Sequence, residues 1–127
     1  DYAHHPTAIQ KTIAAAREKG YEKLLVAFHP HTYSRTRDLF EEFTTAFEGA
    51  DKVFIAPIFA AREPDDGVTS SEKLAEHIRK TGVHAEAATF DEIEEILNRE
   101  SEDGDIVMTM GAGDIYTVAD RLVVPHT

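Results

Sequence analysis

Four short apolar runs recur along the chain, separated by segments whose apolar residues follow a helical period. The runs are Lys23 to Phe28, Lys52 to Ile58, Ala85 to Phe90 and Asp105 to Met110. Runs without polar alternation are typical of parallel strands covered on both faces. Apolar residues spaced three and four apart are typical of amphipathic helices. The alternation predicts the element order α-β-α-β-α-β-α-β-α.

The five predicted helices each carry an apolar stripe. The stripes are Ile9, Ile13 and Ala16; Leu39, Phe40, Phe43 and Phe47; Leu74 and Ile78; Ile93, Ile96 and Leu97; and Ile115, Val118, Ala119 and Leu122. Helix boundaries are indicated by Pro6 as a first helical residue, a capping box over 69–72 and Asp91 as a cap. Gly20 and Gly82 lie where helices should end. Right-handed crossovers then predict a Rossmann-like, doubly wound, mainly parallel sheet with helices on both faces.

The composition is that of one globular domain, covering residues 1–127. A chain of 127 residues is long enough for one hydrophobic core and too short for two. It has no cysteine, no long apolar run and no signal-like start, so we expect a cytoplasmic protein without membrane association. The net charge of -11 disfavours nucleic acid as a partner. Any anionic ligand must therefore be bound by a local patch.

Open parallel sheets bind ligands beyond the carboxyl ends of their strands, which singles out four loops. These are residues 29–36, 57–71, 90–91 and 111–114. The second is longer than the usual connection of ~2–6 residues. It is either a lid or binding loop or a disordered segment, and the sequence leaves both open.

The first of these loops contains the strongest candidate for ligand binding. In this acidic chain no Asp or Glu occurs between Leu24 and Arg37, whereas Arg35, His29 and His31 do. These residues predict a positive patch, in which an arginine can bind a carboxylate or phosphate with two parallel hydrogen bonds. We assign Arg35 to ligand binding and expect Arg37 to form only a surface ion pair.

The histidines admit a different chemistry. His4, His5, His29 and His31 form two close pairs, and a His-x-His pair after a strand also occurs in metal-dependent hydrolases. No further histidine motif follows the later strands, so we expect no metal site. His5 beside Pro6 is also compatible with a structural role at a helix start. A free-standing metal-dependent hydrolase and a small-molecule binding module remain the alternative hypotheses.

A glycine turn follows the last predicted strand. Gly111, Ala112 and Gly113 can expose backbone amides to an anion, although tight packing explains the glycines equally well. The chain contains neither a Gly-x-x-x-x-Gly-Lys-Ser/Thr phosphate loop nor a Gly-x-Ser-x-Gly nucleophile elbow. It therefore lacks the usual means of holding a nucleotide triphosphate by itself.

Four segments together resemble the successive signatures of the UDP-N-acetylmuramate:L-alanine ligases, a branch of the Mur ligase family. They are DYAHHPT at residues 1–7, FHPHTYSRT at 28–36, AARE at 60–63 with GVTS at 67–70, and GAGDI at 111–115. They occur in the family's order and span essentially the whole chain, and the first two are specific to this branch. The resemblance identifies the chain as the C-terminal, third domain of such a ligase.

The resemblance implies a cytoplasmic, three-domain enzyme of peptidoglycan synthesis, and thus of cell-wall biogenesis, cell shape and division. A first domain would bind UDP-N-acetylmuramate, and a central domain would hold the phosphate loop, most of ATP and Mg²⁺. We interpret the start at Asp1 as a domain junction, with both of those domains absent. ATP would phosphorylate the lactyl carboxylate, and the amine of L-alanine would then displace phosphate to form an amide. The isolated domain is expected to be inactive.

The resemblance also implies roles for individual residues. Asp1 would accept hydrogen bonds from the ATP ribose, and Arg35 would bind the alanine carboxylate or a nearby phosphate. Tyr2, His4 and His31 would line the amino-acid pocket. Many relatives have Gln at position 29 and Arg at position 32, where this chain has His29 and Thr32. We therefore expect carboxylate binding to depend more heavily on Arg35.

Overall fold

The computed structural model describes residues 5–18, 23–60, 62–100 and 106–111. In chain order the elements are α1 (Pro6–Arg17), β1 (Leu24–His29), α2 (Tyr33–Asp38), α3 (Phe40–Thr45), β2 (Lys52–Ile55), α4 (Ser71–Arg79), β3 (His84–Ala87), α5 (Phe90–Glu100) and β4 (Ile106–Gly111). The predicted last helix and the predicted helix end at Gly20 lie outside the described residues. Within the described ranges, no helix has the length and apolar character needed to cross a membrane.

All four strands are parallel and lie in the order β3-β2-β1-β4. At the centre of the sheet, Val26 of β1 lies opposite Val53 of β2 on one side and Met108 of β4 on the other. The chain thus proceeds outward from β1 to β3 and then returns to the far side of β1. This reversal confirms the Rossmann-like prediction, and it lies between β1 and β4, at the kind of position where such sheets bind ligands.

Each face of the sheet is covered by helices, which explains why the strands are continuously apolar. On one face, α1, α3 and α4 pack over alternate residues of β1, and Phe28 contacts Phe43 and Phe47 with ring centroids 5.2 and 5.4 Å apart. On the other face, Ile93 and Leu97 of α5 pack against the remaining alternate positions. Burial on both faces is the expected property of a parallel sheet.

The first and last turns of the helices partly follow the sequence signals. Pro6 is the first residue of α1, and the Nδ1 atom of His5 accepts a hydrogen bond from the Thr7 N–H at 3.3 Å. This confirms the structural role considered for His5. Gly82 has a φ of +98° and its N–H donates to the Arg79 carbonyl, which terminates α4 as predicted.

Two predicted caps are displaced by one or two residues. The cap of α4 is Ser70, whose hydroxyl accepts from the Lys73 N–H, whereas Thr69 bonds to Asp66 instead. The capping box of α5 is formed by Thr89 and Glu92, which exchange backbone-to-side-chain hydrogen bonds of 3.2 and 2.8 Å. Asp91, which we predicted as the cap, lies in the first turn. This earlier helix start also ends β3 at Ala87, before the predicted Phe90.

The second predicted helix is divided. Its apolar stripe is continuous, but Leu39 adopts φ -109° and ψ 19°, so the chain bends between α2 and α3. The Leu39 N–H still donates to Arg35, and its carbonyl accepts from the Phe43 N–H, so the bend costs few hydrogen bonds. The bend lets α3 pack on the core while α2 follows the carboxyl edge of the sheet.

Candidate functional site

The loops that follow β1 and β2 are joined at the carboxyl edge of the sheet. Thr32 donates its N–H to the Phe59 carbonyl at 2.7 Å, and Phe59 donates its own to the Pro30 carbonyl at 2.9 Å. These bonds continue the parallel pairing of the two strands through a bridge between His31 and Phe59. The loop after β1 is therefore held by the segment around Phe59, which follows β2.

Thr32 has a backbone conformation that is unusual for a β-branched residue. Its φ is 62° and its ψ is 149°, a region that is populated mainly by glycine. In this conformation its hydroxyl accepts from the Arg35 N–H at 3.2 Å and its carbonyl accepts from the Thr36 hydroxyl at 2.8 Å. The strained residue thus caps α2 and fixes the turn from which Arg35 projects.

Arg35 lies in the first turn of α2 and is exposed. Among the described residues, no carboxylate lies within ion-pair distance of its guanidinium group. It lines an open cleft of about 560 Å³ together with His5, His31, Thr32, Ser34, Asp38, Leu39 and Glu63. The structure therefore brings the predicted ligand residues Arg35 and His31 into one cleft.

The two histidines of the first loop have different environments. His29 is the last residue of β1 and not a loop residue as predicted; it is 4% exposed, with its ring 5.1 Å from Phe90 and 5.8 Å from Phe59. His31 lies at the cleft, with its ring tilted by 31° against that of Phe59 and the two ring centroids 5.3 Å apart. Phe59 thus packs against both rings and orients His31, a role that we did not predict. Among the described residues no three potential ligands are placed to hold a metal ion.

Carboxylates from the second loop reach the predicted positive patch. Glu63 accepts from the Ser34 N–H at 2.9 Å and from its hydroxyl at 2.5 Å, and these two bonds hold the pKa of Glu63 below its ordinary value. Arg37 lies 3.5 Å from both Asp38 and Asp66, as expected for a surface ion pair. The second loop thus partly neutralises the patch, whereas Arg35 forms no ion pair within the described chain.

The loop after β2 is folded over residues 57–60 and 62–70. Asp66 accepts from the Thr69 N–H at 2.7 Å and its hydroxyl at 2.6 Å, and from the Val68 N–H at 2.9 Å. Thr69 is the largest cause that lowers the pKa of Asp66 to about 2. Desolvation, with the negative charges of Asp65 and Asp66, raises the pKa of Tyr33 on the facing side. These bonds argue against the disordered alternative for this loop, whereas its role as a lid or binding loop stays a prediction.

A second concavity lies at the carboxyl ends of β2 and β3, beside the first turns of α4 and α5. Its charged lining is entirely acidic over the described residues: Asp65, Glu72 and Glu92. Three negative charges disfavour a carboxylate or phosphate there. An anionic substrate group is therefore better accommodated in the cleft of Arg35.

Several predicted site residues remain predictions. Asp1, Tyr2 and His4 lie outside the described residues, as do Ala112 and Gly113. Gly111 is the last residue of β4, opposite His29, and thus belongs to the strand and not to the turn in which we predicted it. Glu63, Ser34 and Phe59 were missed as contributors to the site. The first two lie in the motifs on which the resemblance rests, but no role could be read from sequence, because each acts through contact with the other.

Comparison with known proteins defines the class to which this fold and cleft belong. Residues 1–113 match the family model of the Mur ligase, glutamate ligase domain. The chain therefore belongs to the Mur ligase family. A domain of a Haemophilus ducreyi protein assigned as a UDP-N-acetylmuramate:L-alanyl-gamma-D-glutamyl-diaminopimelate ligase superposes with a TM-score of 0.68 at 26% identity. That match covers 97% of this chain and 85% of the other.

Within the family, the chain is similar to ligases that are named for L-alanine. It is 45% identical over 124 residues to the UDP-N-acetylmuramate--L-alanine ligase of Clostridium botulinum strain Hall, and 46% identical to that of Clostridium acetobutylicum. Both matches cover 97% of this chain and 27% of the relative, so the chain spans about a quarter of their length. The Thermotoga maritima UDP-N-acetylmuramate-alanine ligase shares the fold, with a TM-score of 0.73 at 23% identity over 97% of this chain and 25% of that one.

Proposed function

We propose that this chain is the amino-acid-binding domain of a cytoplasmic UDP-N-acetylmuramate:L-alanine ligase, and that it supplies one half of an active site. Its membership of the Mur ligase family and its 45% identity to ligases named for L-alanine support this proposal. The observation that carries it is Arg35: an exposed guanidinium in a cleft at the carboxyl edge of the sheet, with no ion-pair partner in the described chain.

In the proposed role, Arg35 binds the α-carboxylate of L-alanine. A guanidinium can form two parallel hydrogen bonds to a carboxylate, which fixes the direction of the amino acid as well as its position. His31 lines the same cleft and is held by Phe59. Tyr2 and His4 complete the amino-acid pocket, and Asp1 accepts hydrogen bonds from the ribose of ATP. His5, the cap of α1, also lines the cleft, and this supports a role in the pocket for the residues that directly precede it.

The reaction proposed for the whole enzyme joins a carboxylate to an amine at the expense of ATP. The γ-phosphoryl group of ATP passes to the lactyl carboxylate of UDP-N-acetylmuramate, and ADP leaves. The amine of L-alanine, having lost a proton, then forms the C–N bond while phosphate departs with the electrons of the C–O bond. Mg²⁺ and the phosphates would be held by the central domain. This domain would contribute by orienting the amine, an effect worth as much as ~7–11 kcal/mol when fully realised.

The proposal is tested in the whole ligase by the dependence of ADP release on L-alanine. A charge-assisted hydrogen bond to a buried carboxylate contributes ~1.5–3 kcal/mol, so Arg35→Ala should raise the KM for L-alanine by roughly 10- to 150-fold. Arg35→Lys should recover only part of this loss, because lysine cannot bind the carboxylate in the same bidentate way. Arg37→Ala is the matched control, since Arg37 pairs with Asp38 and Asp66 and does not itself line the cleft. An unchanged KM in Arg35→Ala would refute the proposed role.

The 127-residue chain alone should release no ADP from ATP, because its sequence has no phosphate loop. Ligation of L-alanine by this chain alone would contradict the division of the active site between domains.

A further inference from the structure

Glu63 connects two segments that are far apart in sequence. Its two carboxylate oxygens accept from the Ser34 N–H at 2.9 Å and the Ser34 hydroxyl at 2.5 Å. Ser34 lies in the first turn of α2, directly before Arg35. Both oxygens of the Glu63 carboxylate therefore bind Ser34, the residue that precedes Arg35.

The helix that carries Arg35 is too short to determine its own orientation. α2 has six residues and ends at the bend formed by Leu39. Isolated helices of this length are unstable, because nucleation costs more than a few hydrogen bonds return. At its start, the Thr32 cap and the Glu63 carboxylate hold two adjacent backbone N–H groups, those of Arg35 and Ser34. Loss of the carboxylate would remove one of these two constraints, so the first turn could shift, and the guanidinium at the end of a long side chain would move furthest.

We propose that Glu63 is a positioning residue for the amino-acid substrate, acting on the first turn of α2 to aim the Arg35 guanidinium into the cleft. This inference rests on the proposed function. Glu63 also lines the cleft, so direct contact of its carboxylate with the substrate ammonium group is the competing explanation. The two differ in one respect: a positioning residue acts through Arg35, whereas a residue that binds the ammonium group acts independently of it.

The experiment is a double-mutant cycle in the whole ligase, with the KM for L-alanine and kcat measured separately. A residue that acts through Arg35 can lose at most the binding that Arg35 supplies, so we expect Glu63→Ala to raise the KM for L-alanine by no more than the roughly 10- to 150-fold expected for Arg35→Ala. Ser34→Ala should produce a smaller rise of the same kind. In the Arg35→Ala background, Glu63→Ala should cause little further change, because coupled residues do not act additively. Glu76→Ala, an exposed carboxylate on α4, serves as the control.

Amide hydrogen exchange in the 127-residue chain provides a readout independent of catalysis. Glu63→Ala should accelerate exchange of the Ser34 amide, whereas Glu63→Gln, which keeps one acceptor oxygen, should accelerate it less. Unchanged exchange would overturn the proposal, as would a full effect of Glu63→Ala in the Arg35→Ala background. If the unsubstituted ligase released no ADP in response to L-alanine, the proposed function would fail, and the substrate role of Glu63 with it. The exchange measurement would still show whether Glu63 holds α2.

Discussion

The conformation of Thr32 leads to a prediction in which glycine and alanine have opposite effects. At φ 62° and ψ 149° a β-branched residue is strained, at a cost of ~1–3 kcal/mol. Thr32→Gly removes this strain. The same substitution lowers the free energy of unfolding by a few tenths of a kcal/mol because the cap is weaker. It lowers it by about 0.4–1 kcal/mol more because glycine gives the unfolded chain greater conformational freedom. The net change is a stabilisation of roughly 0–2 kcal/mol.

Thr32→Ala keeps most of the strain and loses the hydroxyl that accepts from the Arg35 N–H, which costs ~0.5–2 kcal/mol. The glycine variant should therefore be more stable than the alanine variant by about 2 kcal/mol. Urea denaturation of the 127-residue chain measures this difference. With a slope of ~1–3 kcal/mol per molar urea, the two midpoints should differ by about 1 M.

The same pair of substitutions at Thr12 provides the control. Thr12 is exposed in the middle of α1, where glycine is less favourable than alanine by ~1 kcal/mol, so the order of stabilities should reverse. If Thr32→Ala proved as stable as Thr32→Gly, the argument from backbone strain would be wrong. In the whole ligase we expect Thr32→Gly to raise the KM for L-alanine despite its stability, because the turn that presents Arg35 becomes less rigid.

Three further predictions concern the core and the second loop, all measured by urea denaturation. Phe28→Ala should destabilise the chain by ~3–5 kcal/mol, since the ring is fully buried against two other phenylalanines; a loss below 1 kcal/mol would contradict this packing. Ser71→Ala should cost ~1–3 kcal/mol, because the buried Ala56 carbonyl loses the hydroxyl that donates to it at 2.6 Å; a neutral result would indicate another donor. Asp66 has a folded pKa of about 2 against an ordinary 3.8, so its stabilising contribution is present above about pH 4 and lost as the pH falls towards 2. Asp66→Asn should reduce the loss of stability as the pH falls from about 4 towards 2. An unchanged pH dependence would refute the stabilising role of the Asp66 carboxylate.

Much of the fold could be predicted because it depends on local patterns. Continuous apolar runs predicted the four parallel strands within a few residues of their ends. Among the described residues the helical stripes predicted most of the buried helix positions, whereas Leu39, Phe40 and Ile96 are only partly buried. The errors fall where two local signals compete. Thr69 and Ser70 are both good caps. Ser70 caps α4 because the hydroxyl of Thr69 is already bonded to Asp66.

The bend at Leu39 has a different origin. The stripe from Leu39 to Phe47 has an uninterrupted helical period, so no sequence signal marks a break. The break is decided by position in the fold, since α2 is held at the sheet edge through Glu63 while Phe43 is buried in the core. The predicted positive patch was incomplete for the same reason, because the acidic residues that neutralise part of it come from the loop after β2.

By itself, the sequence determined the class of fold, the edge of the sheet at which a ligand should bind, and Arg35 as the candidate that binds it. These follow from periodicity, strand direction and charge, which are properties of neighbouring residues or of the whole composition. Only the tertiary structure decided that Arg35 has no ion-pair partner within the described residues, that Phe59 packs against His31, and that Glu63 holds α2. The last two of these depend on contacts between residues 28 and 29 positions apart, because a parallel sheet joins strand ends that the sequence separates by a whole crossover.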